Sequence, residues 1–203
     1  MRPEALAGAQ SSLVALSAAL ATRDRARVRS ALERAYGEAD AAAVEEAILQ
    51  AHLFVGFPDM LNALAAWRQV SGLPAPPSIG EDPAEWEERG ADVCARVYGA
   101  NYRKLRRNVA ALHPDVDGWM ATGGYGRVIG RPGLDLATRE LCLAALLAVW
   151  NVPRQLHSHL RGALNAGATV EQVDAAVETA CGMIDEDRAI EVRALWAEVR
   201  GKA

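Results

Sequence analysis

Four histidines, His52, His113, His157 and His159, are the side chains best suited to move protons near neutral pH. His157 and His159 are two residues apart on one helical stretch, so they project from different faces and cannot form a metal-binding pair, which needs i, i+4 spacing. One of them must face inward. The apolar stripe of that stretch, Leu156, Leu160 and Leu164, is flanked by His157 on one side and His159 on the other, so periodicity alone does not choose between them. A carboxyl group lies upstream: Glu140, set among Leu136, Leu141, Leu143 and Leu147. A charge in such a setting needs a partner. The partner is either the helix N-terminus with a nearby arginine, or a histidine that the carboxylate orients. Glu140 lies about 11 residues before a helix break and His159 about 7 after it; at about 1.5 Å per residue, an antiparallel hairpin would offset them by roughly 6 Å. Two side chains, or one bridging water, span that gap. A carboxyl–imidazole couple of this kind does proton transfer.

Sulfur chemistry and metal chemistry find little support. The three cysteines, Cys94, Cys142 and Cys181, are far apart, with no CxxC pair and no Cys/His spacing suited to zinc. So sparse a set suits a reducing compartment, where a buried cysteine acts as a small hydrophobe. No metal and no cofactor is expected. The formal net charge is −4, and no basic stripe interleaved with aromatics appears, so no nucleic-acid partner is expected. The densest positive run, Arg103, Lys104, Arg106 and Arg107, reads as a solvated helix face.

The elements that must hold Glu140 and His159 are helices. The composition is 51% hydrophobic but only 5% aromatic, with alanine and leucine in the majority, which favours helix over sheet. The fold class is therefore all-α. Helices are expected over 3–21 and 24–36, with Gly37 stopping the second. Asp40 caps a third, which Gly56 and Pro58 break before Leu61, Leu64 and Trp67 resume the pattern. Residues 13–21 are apolar enough to suggest a weak leader, but Glu4 and the serines argue for a helix of the mature protein and a cytoplasmic location. Residues 71–83, with four prolines and two glycines, form a stiff linker. Helices follow over 84–98 and 101–112, then a glycine-rich ordered loop over 120–134. Last come 136–150, apolar nearly all round, then 153–166 opened by Pro153, and 170–182, where Thr169 and Gln172 form a capping box. No run reaches the length of a membrane span.

A weak internal repeat runs at an offset of 129 residues, placing Asp40 on Thr169, Val44 on Val173 and Trp67 on Trp196. At that offset Ser11 and Ser30 stand where Glu140 and His159 stand, so only the C-terminal copy would keep the chemistry.

The block 134–177 resembles the carboxymuconolactone decarboxylase / alkylhydroperoxidase D-like (AhpD-like) family. The landmarks are Arg139-Glu140-Leu141, the Leu156-x-x-His159 step, Ala163-Leu164 and Gly167-Ala168-Thr169, with 126–136 as the decarboxylase-type approach. A second stretch, 47–64, resembles the domain's closing helices through Phe54, Gly56 and Pro58. The resemblance implies an AhpD-like helical fold in two imperfect repeats: an N-terminal half over 1–70, a linker over 71–83 and a C-terminal half over 84–203. In the peroxidase branch a CxxC lies between Glu and His; here Val152 and Gln155 hold the thiol places, so the dithiol is missing. The decarboxylase branch needs neither thiol nor metal. It implies His159 as proton donor and Glu140 as its orienting partner, with Arg127, Arg131, Arg139 and His52 as substrate-binding residues. The expected function is a metal-free acid/base lyase on a small carboxylated lactone or related acid. The alternatives are a thiol oxidoreductase lacking its CxxC and a non-catalytic oligomeric member. A homo-oligomer is implied, with a small-molecule substrate and no membrane partner.

Overall fold

The computed structural model describes residues 6–202. In chain order the helices are α1 (Gly8–Thr22), α2 (Arg25–Glu38), α3 (Ala41–Ser71), α4 (Glu85–Tyr98), α5 (Tyr102–Leu112) and α6 (Pro114–Gly118). A π-helix, Trp119–Ile129, comes next, then α7 (Leu136–Trp150), α8 (Pro153–Asn165), α9 (Val170–Cys181) and α10 (Glu186–Arg200). Among the described residues there is no strand, so the protein is all-α as its composition requires. None of these helices is long and apolar enough to cross a membrane. The expected first three residues of the first helix, 3–5, lie outside the described residues.

The chain forms two compact units. One joins the chain up to Ala75 with the chain from Gly133; the other is Pro76–Pro132.

In the first unit α7 is the central element. Every residue from Thr138 to Val149 is buried, as the all-round apolar pattern requires, and α1 packs along it with Leu13, Val14, Leu16 and Leu20. The hairpins α1–α2 and α7–α8 turn in the same way: Arg23 (φ 57°) and Asn151 (φ 62°) each take the left-handed conformation at the helix end. Asp24 then caps α2 by accepting from the amides of Ala26 and Arg27, and Pro153 opens α8. Asp135 caps α7 through the Thr138 amide, and the Thr169–Gln172 capping box opens α9. Gly56 (φ 82°) breaks α3 in the expected place.

Other expectations need correction. Gly37 does not stop α2, which runs on to Glu38; the stop comes at Ala39, where the chain turns extended. Asp40 occupies the N-cap position of α3 but its side chain makes no capping bond. The α1–α2 and α7–α8 hairpins align at an offset of 128, not 129: the α8–α9 connection is two residues longer than the α2–α3 connection, while α8 is one residue shorter than α2. Glu140 and His159 therefore correspond to Ser12 and Ala31 rather than to Ser11 and Ser30. Beyond that loop the 129 offset holds. Trp67 donates from Nε1 to Glu45 with Arg68 on the same carboxylate, and Trp196 donates to Asp174 with Arg200 beside it.

The second unit corrects the expected loop over 120–134, whose greater part is the π-helix. Its glycines serve close packing. A Cβ on Gly126 would meet the Trp86 carbonyl oxygen at 1.9 Å, and one on Gly90 would meet that of Ala121 at 2.1 Å, so α4 and the π-helix cross backbone to backbone. Arg89 seals the crossing by donating to the Gly126 carbonyl at 2.7 Å and pairing with Glu81 at 2.6 Å.

Candidate functional site

The α7–α8 hairpin brings Glu140 and His159 together. His159 Nδ1 lies 2.8 Å from Glu140 Oε2, closer than the axial offset from residue counting, because the turn at Asn151 brings α8 back against α7. Glu140 is 0% exposed and His159 4%. His157 is only half-buried, so the choice that periodicity left open falls on His159.

Glu140 sits just past the first turn of α7, where the helix-end field has faded, and its partner is the imidazole rather than an arginine. An anion so enclosed fixes its neighbour. The carboxylate accepts from Nδ1–H, which leaves Nε2 as the other nitrogen: a lone pair in the neutral ring, an acidic N–H in the imidazolium. No hydrogen-bond partner for Nε2 is found among the described residues. Glu140 Oε1 is also buried without one, so the charge is held chiefly by the histidine. Phe54 presents its ring edge-on to the imidazole at 5.8 Å between centroids, and Trp150 meets Phe54 at 6.3 Å. Phe54 gives the imidazole an apolar wall, and Trp150 backs Phe54. Phe54 was legible as one member of an aromatic-Gly-Pro step; Trp150 carried no signal beyond its place in the last turn of α7.

The other candidates lie elsewhere. Arg139 is fully enclosed. Its Nη2 donates to Glu46 at 2.9 Å, its Nη1 to Gln50 at 3.4 Å and its Nε to the Leu134 carbonyl at 3.1 Å. Glu46 and Gln50, one turn apart on α3, are partners that sequence reading missed, although an i, i+4 polar pair in an apolar helix is a usable signal. His52 is half-buried on α3; its Nδ1 lies 2.6 Å from the Leu49 carbonyl, and its ring is 5.0 Å from that of Phe57. Arg127 and Arg131 belong to the second unit. There Arg127 stacks over Trp86 at 5.3 Å, and Arg131 lies 3.6 Å from Glu81. His113 caps α6 by accepting from the Asp115 amide, the turn role expected of it.

All three cysteines are free and buried. Burial pushes the Cys142 thiol up to about 12, and it raises that of Cys181 as well. Neither is a ready thiolate. Val152 and Gln155 stand at the places a CxxC would occupy. Among the described residues no three His, Cys, Asp or Glu side chains converge as a metal-ligand set would.

Two open grooves of about 390 and 520 Å³ lie at corresponding places, one beside Ala148, Asn151 and Glu191, the other beside Leu20, Arg23 and Asn62. Neither is lined by Glu140 or His159, so the chemistry is assigned from the dyad rather than from the grooves.

Residues 114–198 match the carboxymuconolactone decarboxylase family. The family segment contains both members of the dyad, and the resemblance read from 134–177 falls wholly inside it; the second stretch, 47–64, lies outside. The chain is also 27% identical over 139 residues to Peroxisomal protein 2 of Schizosaccharomyces pombe, an alignment covering 66% of this chain and 64% of the relative. The chain thus spans just under two thirds of that relative's length.

Proposed function

We propose that this protein is a decarboxylase-like lyase that needs no metal and acts by acid–base chemistry on a small carboxylated lactone or a related acid. The observation that carries the reading is the enclosed His159–Glu140 dyad, with Nε2 left over for a substrate. In the reaction the bond to the departing carboxylate breaks, CO2 leaves, and its electron pair spreads into a dienolate. The imidazolium of His159 delivers the proton from Nε2 to carbon and is reprotonated by solvent. Glu140 orients the ring and offsets the imidazolium charge. The Phe54 wall keeps the ring in an apolar setting, where a proton donor acts without competition from water.

The substrate-binding roles of Arg127, Arg131, Arg139 and His52 rest on the resemblance. A guanidinium suits a carboxylate by bidentate pairing. Arg139 would have to exchange Glu46 for the substrate to take that part. The thiol-oxidoreductase alternative is weakened by the buried, raised thiols.

Homo-oligomeric assembly and a cytoplasmic location complete the proposal. Three free, buried cysteines suit a reducing compartment, while the name of the yeast relative makes the peroxisome the competing address for a fluorescent-fusion test. We also read the two hairpins as products of a duplication, on the strength of the shared left-handed turns and the paired Trp–carboxylate bonds. The halves 1–70 and 84–203 are then descent units, distinct from the compact units of the fold.

The test is turnover of a panel of β,γ-unsaturated lactone acids followed by CO2 release. His159→Ala and Glu140→Gln should each lower kcat by about 100-fold or more. Unchanged turnover in both variants removes the proposal. If the wild-type chain turns over no member of the panel, the non-catalytic alternative is favoured.

A further inference from the structure

Within the second unit, α5 is an 11-residue helix with no buried residue. One side carries the half-buried Leu105 and Val109 and then Leu112; past the extended His113, which ends α5, Val116 on α6 and Trp119 at the start of the π-helix add further exposed apolar side chains. Leu112 is 85% exposed, Val116 41% and Trp119 69%. A helix of this length is marginal in water without an apolar face to pack on, and a run of large exposed apolar side chains marks a surface made to be covered. Within the unit, Arg106 ties α5 to α6 by pairing with Asp117, and donates within its own helix to the Tyr102 hydroxyl at 2.9 Å.

The charges beside this stripe are segregated. α5 exposes Arg103, Lys104 and Arg107, while α4 exposes Glu85, Glu87, Glu88 and Asp92. Glu85 and Glu88 share one face of α4, whose Asp92 is paired with Arg96 a turn further on, and Arg103 and Arg107 follow one face of α5 at a spacing of four. The same unit thus carries both members of a complementary pair on separate helices, as a self-complementary surface requires.

We propose that this face is where a second copy of the chain docks, in a two-fold arrangement. Leu112, Val116 and Trp119 meet their own counterparts at the axis. On either side the basic row of α5 lies along the acidic row of the other copy's α4. The Arg-rich run that reads in sequence as a merely solvated face then has a partner. This deepens the homo-oligomer reading, on which it rests, and is independent of the acid–base chemistry.

The test uses full-length protein and light-scattering mass after size exclusion. Wild type should run at twice or a higher multiple of 21.7 kDa, and lose association as salt is raised. Arg103→Glu with Arg107→Glu, and separately Glu85→Lys with Glu88→Lys, should each weaken association at least 10-fold while far-UV circular dichroism stays unchanged. Joining all four substitutions in one chain, or mixing the two variants, should restore it, because each interface then pairs opposite charges again. Association that survives both double variants overturns the surface while leaving the homo-oligomer reading intact. Failure of the fourfold variant and of the mixture to recover overturns the charge pairing. A wild type that is monomeric at about 100 μM overturns both, and if that monomer sediments with phosphatidylserine vesicles, the face belongs to a membrane surface instead.

Discussion

At the scale of single residues, Glu140 holds its charge by means of one imidazole, and Arg139 beside it by means of a different helix. The two neighbours differ because consecutive positions on α7 point about 100° apart: one towards α8, the other towards α3. Glu46→Ala should destabilise the protein by about 3–5 kcal/mol in urea unfolding, since it strands the Arg139 guanidinium in the core; a loss under 1 kcal/mol would mean that Gln50 and the Leu134 carbonyl suffice. The cysteines give a second expectation. At pH 8 a maleimide should leave Cys94, Cys142 and Cys181 unlabelled in the native protein and label all three after denaturation, read by intact mass. The Cys142 thiol also sets a direction with pH. Its folded value lies above the unfolded one, so its contribution to stability is complete below about 9 and is lost as pH rises towards about 12. The dyad was legible because a carboxylate on a wholly apolar helix demands a partner and the hairpin arithmetic supplied one. Periodicity did not choose His159 over His157, because both flank the same leucine stripe; the family resemblance pointed to His159, and the packing of α8 on α7 buries it.

At the scale of elements, apolar periodicity and capping residues located most helices, and two of the misreadings share one cause. Glycine was read as an interruption, while here it is often a contact. Gly37 sits inside α2, and Gly126 and Gly90 let α4 and the π-helix touch. Gly56, with φ 82°, breaks α3 as expected, and Gly72, with φ 66°, ends it. Gly126→Ala should therefore cost the second unit about 1–3 kcal/mol or more, as overpacking does, visible as a lower unfolding midpoint. Gly37→Ala, with open space around its Cβ and a helical backbone, should be neutral or stabilising by up to about 1 kcal/mol. Equal effects at the two positions would contradict the distinction.

At the scale of the whole molecule, the proposed duplication rests on two pairs of local features. Arg23 and Asn151 both turn left-handed corners, and Trp67 and Trp196 each donate to a carboxylate, while at the hairpin offset Ser12 and Ala31 stand opposite Glu140 and His159. Glu45→Ala should cost about 1–2 kcal/mol. Asp174→Ala should cost less, because the Asp174 side chain is 41% exposed and that of Glu45 13%. The proposed repeat shows only faintly in the sequence because alanine-rich helices resemble one another whatever their descent, and the one-residue shift between its parts leaves no periodic trace. The account stands on Glu140 fixing the proton of His159. Nitrogen-15 shifts of the His159 ring measure that most directly: the neutral ring should carry its proton on Nδ1, with Nε2 bare, and Glu140→Gln should disturb this state. A neutral ring protonated on Nε2 in the wild type, unchanged by Glu140→Gln, would contradict it.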